Sequence, residues 1–360
     1  MMNHKERISA VIRREPVDRL PVDIWHTDEV GSQLRDHFGA ADDLDLYRKM
    51  DLDKVVWFFP KYNAEETESL SGAGTSKVSK RTMWGTLLKE QQAGDALYQE
   101  FAEPPLKGFD TPGALDRYAL WPSLDRFDYA EMAGFAEKAS VDFPVLGPWV
   151  SLFEIYCQMR GFETALMDLA VAPDLVHATL DRIEEIQTGF MKRLFDLASQ
   201  QIDFGFVSDD MGSQGSLLIS PRMWDEFFKE RMRRWCDLIH GYGLKVFYHT
   251  DGASEALIPR LLDCGIDVLN PIQHRCPGMD RAELKRKYGN KVIFHGGVDT
   301  QQVMPYGTVD DVRREVKECM QTLGKGREGY IVCSCHNIQP GTPLENILAM
   351  VETVQASGKP

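Results

Sequence analysis

The chain has 360 residues, 43% of them hydrophobic and 27% charged, which are globular values with enough apolar material for a sizeable core. Its formal net charge of −14 argues against a nucleic-acid partner, because a phosphate backbone needs a basic face. No apolar run approaches the length that spans a bilayer, so no membrane partner is expected.

Residues 1–7 are polar and charged, without the apolar stretch of an export signal, so the expected location is the cytoplasm. In that setting seven cysteines, an odd number, favour free thiols or metal ligands over a disulfide framework.

Taken in chain order, strand-type segments fall at 20–25, 54–59, 144–147, 204–208, 245–249, 268–272, 291–295 and 329–332, with helical patterns between them. Helix starts are marked by capping chemistry. Ser220-Pro221 supplies an N-cap and a first-turn proline, and Thr308 is followed by Asp310 and Asp311. Thr342-Pro343-Leu344-Glu345 reads as a capping box with proline at the first helical position. Eight βα units predict an α/β fold, a TIM (β/α)8 barrel, since a parallel barrel needs crossover helices and leaves no sheet edge. A doubly wound open sheet is the alternative, but no Gly-x-Gly-x-x-Gly string supports it.

The stretch 61–126 breaks the repeat. Ser71-Gly-Ala-Gly74, the run 83–89 and the run 97–101 predict an inserted β-hairpin with one or two short helices beside the barrel mouth. With no low-complexity tract or long linker, residues 1–360 are expected to form one domain.

In such a barrel, chemistry gathers where strands end. His26 follows the first strand, Trp149 the third, and Asp209 and Asp210 the fourth. His249 and Asp251 follow the fifth, Gln273 and His274 the sixth, His295 the seventh, and Cys333, Cys335 and His336 the eighth. His249-x-Asp251 places an imidazole and a carboxylate on one side of an extended segment, a pair suited to zinc or iron(II). Asp251 could equally orient the His249 ring, or cap the following helix. Cys333 and Cys335 present an alternation problem: either the thiols face the mouth, or His336 does. Buried packing is the commoner fate of such cysteines. Asp209, Asp210 and His336 are the catalytic candidates. His26, Trp149, Gln214 and Gln273 are the substrate-contact candidates.

Several strings point to a family. They are Lys5-Glu-Arg7 with Pro16-Val-Asp-Arg-Leu-Pro21, then Gly147-Pro148, Ile219-Ser-Pro221, His249-x-Asp251-Gly252, Gly297-Val-Asp299 and Gly307-Thr308. The most specific is His336-Asn-Ile-Gln-Pro-Gly-Thr-Pro343. On these the chain resembles the uroporphyrinogen decarboxylase superfamily over essentially its whole length, which implies a TIM barrel.

The superfamily's porphyrinogen decarboxylases carry an arginine-rich loop after the first strand, where this chain has Asp23-Ile-Trp-His-Thr-Asp28. The chain is closer to the corrinoid-dependent methyltransferases, which hold zinc through a His-x-Cys pair and a later Cys. Aligned on those motifs, the metal positions become His249, Asp251 and His336. The resemblance therefore implies zinc-assisted methyl transfer from a small donor, such as a methoxylated aromatic, to a corrinoid (cobalamin) carried on a partner protein. It also carries the expectation of a homodimer. The alternative is a metal-independent decarboxylase or other lyase acting on a small carboxylated substrate.

Overall fold

The computed structural model describes residues 2–63, 78–93 and 96–358. Among the described residues the strands are β1 (Val56–Trp57), β2 (Val78–Arg81), β3 (Leu87–Ala93), β4 (Ala96–Glu103), β5 (Val145–Val150), β6 (Phe204–Ser208), β7 (Lys245–His249), β8 (Val268–Asn270), β9 (Ile293–Val298) and β10 (Tyr330–Ser334). Seven of them form one parallel sheet in the order β1-β5-β6-β7-β8-β9-β10.

The eighth stave is the extended segment through Val22. It makes a parallel bridge to Val332 on β10, and the Asp53 N–H donates to the Val22 carbonyl at 2.8 Å on the other side. The curled sheet is thereby closed, as a (β/α)8 barrel requires. Six of the segments expected from the sequence became regular parallel strands close to their expected bounds. The 54–59 run contracted to the two residues of β1, and the first segment pairs only through isolated bridges.

Alternation along the strands sorts the core into two layers. Trp25, Phe204, Phe206, Phe247, Val268, Ile293 and Ile331 point into the barrel, where Ile8 and Val11 of helix His4–Ile12 join them. Val246, Tyr248, Phe294, Tyr330 and Val332 face the surrounding helices. No described helix is long and apolar enough to cross a membrane.

The helix starts largely follow their sequence signals. Ser220 Oγ accepts from the Met223 N–H, and Thr308 and Asp311 form a reciprocal capping box. The expected Thr342 box does not form. Pro343 is itself the N-cap, extended at φ −57° and ψ 133°, and the helix begins at Leu344.

The inserted segment holds more strand than expected. β2, β3 and β4 make an antiparallel sheet of three strands, followed by short 3-10 turns at Pro112–Arg117 and Leu124–Arg126. The Ser71-Gly-Ala-Gly74 turn signal lies outside the described residues. Buried Trp84 and Tyr118 hold the insertion together, the tyrosine hydroxyl donating to the Trp84 carbonyl at 2.6 Å.

Candidate active site and metal centre

A cavity of about 630 Å³ opens at the carboxyl ends of the strands. Its wall is aromatic, from Trp25, Trp57, Phe59, Trp149 and Phe206. The insertion contributes Thr82, Leu88 and Phe101. Edge-to-face contacts, Trp57 on Phe59 at 5.0 Å and Phe59 on Trp149 at 5.9 Å, build the wall as a continuous apolar surface. Polar groups converge on one side: Glu154, Ser208, Asp210, His249 and His336.

His249 ends β7 and is only 8% exposed at its side chain, stacked on Trp25 at 5.5 Å and 20°. Its Nε2 lies 3.6 Å from the Asp210 carboxylate and 3.8 Å from Asp251 Oδ1. His336 Nε2 lies 3.8 Å from Asp251 Oδ2. One ligand atom from each of His249, Asp251 and His336 falls within a common 4.8 Å.

Asp251 Oδ1 is buried without a hydrogen-bond partner, although it faces the histidine nitrogen. An unpartnered carboxylate oxygen is costly in such a place unless a cation satisfies it. Burial, then the charge of Asp210, push the Asp251 carboxyl above its ordinary pKa, while His249 and His336 pull the other way. Two imidazoles and one carboxylate form a donor set that fits zinc or iron(II).

A second group of metal-competent side chains, Asp23, His295 and Cys333, lies deeper in the barrel. It already contains its cation. Lys54 Nζ sits 2.9 Å from Asp23 Oδ1, and both nitrogens of His295 are hydrogen-bonded. Burial opposes the charge on Asp23, but Lys54 and His295 outweigh it and hold the carboxyl below its ordinary pKa.

The paired acids after β6 separate. Asp209 is fully buried and does not line the cavity. It accepts from Ser151 Oγ at 2.6 Å and from the N–H groups of Leu152, Phe153 and Glu154, capping helix Phe153–Arg160. Burial pushes its carboxyl up to about 7 against the pull of those donors. The structure thus places Asp209 away from the cavity, where it satisfies the donors at the start of the helix after β5. Asp210 faces the cavity and accepts the Asp251 N–H at 2.9 Å.

Of the expected substrate contacts, Trp149 is in the wall. His26 lies instead in a neighbouring cavity with Lys54 and Tyr47, its Nδ1 donating to the Thr27 carbonyl at 3.0 Å and its Nε2 near the Tyr47 hydroxyl at 3.2 Å. Gln214 is exposed on the rim, where Gln301 Nε2 donates to it at 3.4 Å. Gln273 Oε1 accepts the Gly252 N–H at 2.8 Å and so holds the loop behind Asp251. These displacements share a cause: each side chain is claimed by a polar backbone or side-chain neighbour outside the cavity.

The thiol question resolves towards His336. Cys333 is packed inside the barrel, Cys335 Sγ donates to the Ile272 carbonyl at 3.2 Å, and His336 lines the mouth.

Glu154 was not anticipated. It stands in the first turn after β5, accepts from Ser208 Oγ at 3.0 Å, and lines the cavity. Burial, then the charges of Asp210 and Asp209, raise its carboxyl well above the ordinary value. Its sequence signal was its place one turn beyond a strand end, obscured because Ser151 and Leu152 intervene.

Residues 126–357 match the uroporphyrinogen decarboxylase (URO-D) family. Methylcobamide:CoM methyltransferase MtaA of Methanosarcina barkeri is 22% identical over 215 residues, covering 60% of this chain and 59% of that protein. The uroporphyrinogen decarboxylase of Neisseria meningitidis is 23% identical over 245 residues, 65% of each. The chain thus spans under two thirds of the length of these curated relatives. A solved methyltransferase from Methanosarcina mazei shares the fold over 100% of both chains, with a TM-score of 0.69 at 19% identity. On the family match and its barrel, this chain belongs to the uroporphyrinogen decarboxylase (URO-D) family.

Proposed function

We propose that the protein moves a methyl group from a small methoxylated donor to a cobalt corrinoid carried on a partner protein, with zinc held by His249, Asp251 and His336. The observation that carries this reading is the convergence of those three ligand atoms around an unpartnered Asp251 oxygen at the barrel mouth. Support comes also from a relative named for methyl transfer between a methylcobamide and CoM. The ligands here are nitrogen and oxygen, which suits activation of an ether oxygen better than capture of a soft thiolate.

The aromatic wall is suited to an aryl ring, which edge and face contacts can orient. Asp210 positions the loop that carries Asp251. Glu154, whose raised carboxyl lines the cavity, is our candidate to give a proton to the departing oxygen. Zinc supplies Lewis-acid stabilisation of the charge that develops on that oxygen. Seven unpaired cysteines fit a reducing, cytoplasmic setting.

The test is methylation of cobalt(I) cobalamin, followed by its absorbance, with a panel of methoxylated donors and a reconstituted corrinoid protein. His249→Ala is expected to abolish it. Wild-type protein that methylates nothing, yet decarboxylates uroporphyrinogen or a smaller acid without metal, would reverse the assignment.

A further inference from the structure

Beneath the mouth, five side chains form a polar line that runs from β7 through β8 to β9, passes over β10 to the stave through Val22, and ends beside β1. His249 Nδ1 lies 2.5 Å from Asn270 Oδ1, and Asn270 Nδ2 lies 2.8 Å from His295 Nδ1. His295 Nε2 lies 3.0 Å from Asp23 Oδ2, and Asp23 Oδ1 lies 2.9 Å from Lys54 Nζ. Lys54 then donates to the Ile24 carbonyl at 2.9 Å. Asp23, Asn270 and His295 are 0% exposed. Water cannot substitute for a wrong partner there, so the polarity of each bond is set by its neighbours.

The polarity can be read from one end. The Asn270 group that faces His295 also lies 3.4 Å from the His295 backbone carbonyl, which can only accept. That group is therefore the amide, and it donates to His295 Nδ1. His295 must then carry its hydrogen on Nε2 and give it to Asp23, whose charge Lys54 balances. The Asn270 oxygen faces His249, so the hydrogen of His249 is on Nδ1.

We propose that Asn270 is a positioning residue: supported by His295, Asp23 and Lys54, it holds the hydrogen of His249 on Nδ1 and turns Nε2 into the mouth. That nitrogen faces the unpartnered Asp251 Oδ1 across 3.8 Å, a pair that a metal ion or a shared proton can reconcile. Its functional meaning rests on the metal reading above, whereas the tautomer itself does not. In sequence terms, Asn270 sits in register with His249 on the neighbouring strand, which is what lets a short side chain reach the ring.

The test uses the full chain, freed of metal and labelled with nitrogen-15 in its histidines, with His249 signals assigned by their loss in His249→Ala. Recorded across pH, the spectrum of the neutral His249 ring is expected to show its hydrogen on Nδ1. A neutral ring with its hydrogen on Nε2 overturns the proposal without any variant at Asn270. Calorimetric titration with zinc and with cobalt(II) gives the second readout. Asn270→Ala is expected to weaken both by about 10–100-fold. Asn270→Asp, which keeps an acceptor for His249 Nδ1, should recover most of that loss. A folded Asn270→Ala protein with unchanged metal affinity overturns the positioning role. Wild-type protein that shows the expected tautomer but binds neither metal supports the positioning and overturns the metal reading.

Discussion

The Asp251 N–H donates to the Asp210 carboxylate at 2.9 Å, so the loop that carries one candidate ligand is tied to the end of the neighbouring strand. Asp210 also stands 3.6 Å from His249 Nε2, close enough to shape the field of the site while belonging to the cavity wall.

That arrangement predicts a split phenotype for Asp210→Asn. The amide oxygen still accepts from Asp251, so zinc content should remain near that of the wild type. The charge beside the donor is gone, and methyl transfer should fall by about 10²-fold or more, the scale of a lost acid–base group. Metal analysis beside the cobalamin assay checks it. Loss of zinc in a folded Asp210→Asn protein would mean that the acid is a ligand.

A second expectation concerns the thiols. Cys333 and Cys335 are both buried, and their burial raises their thiols well above the ordinary pKa, which disfavours the thiolate that a metal requires. Replacing Cys333 with Ala and Cys335 with Ser should therefore leave zinc content intact, at a modest cost in stability from lost packing. A double variant that retains its fold and loses its zinc would refute this placement.

The barrel was legible because its signals are local. Alternating apolar runs such as 204–208 and 245–249 became β6 and β7 within a residue, and Ser220 capped the helix it announced. His249, Asp251 and His336 were legible as strand-end residues, and the family strings supplied their grouping. What could not be read were partnerships across the chain. Asp209 and Asp210 look alike in sequence, yet only the register of β6 beside helix Phe153–Arg160 decides that one caps and the other faces the cavity. Asn270 gives no signal at all until β7, β8 and β9 are side by side.

The motif residues Arg7 and Arg19 offer another such case, and a prediction. Both guanidinium groups grip the carboxylate of Asp53, which is fully buried and also accepts the Val22 N–H at 3.0 Å. This cluster joins the first helix to the stave that closes the barrel. Asp53→Ala leaves a buried amide unpaired and takes from both arginines their buried carboxylate, Arg7 keeping Asp18 and Arg19 keeping exposed Asp51, and should destabilise the fold by about 3–5 kcal/mol. Urea unfolding measures it, and a loss below about 1 kcal/mol would show that the arginines find other partners.

The last prediction is a pH dependence at His274. Arg281 Nη2 donates to His274 Nδ1 at 2.9 Å, so that nitrogen must be an acceptor and protonation would set two cations face to face. Burial, then the Arg281 charge, lower the imidazole to about 4. An unfolded histidine titrates near 6.5. Above that pH the ring is neutral in both states and costs nothing. Between 6.5 and 4 the unfolded chain takes up a proton that the folded one refuses, so stability falls as the pH falls; below 4 both states are protonated and the loss levels off. The gap corresponds to about 3 kcal/mol. His274→Gln removes the titration and keeps an acceptor for Arg281, so its urea midpoint should decline less than that of the wild type between pH 6.5 and 4. Parallel curves for the two proteins over that window would show that His274 is not the group responsible.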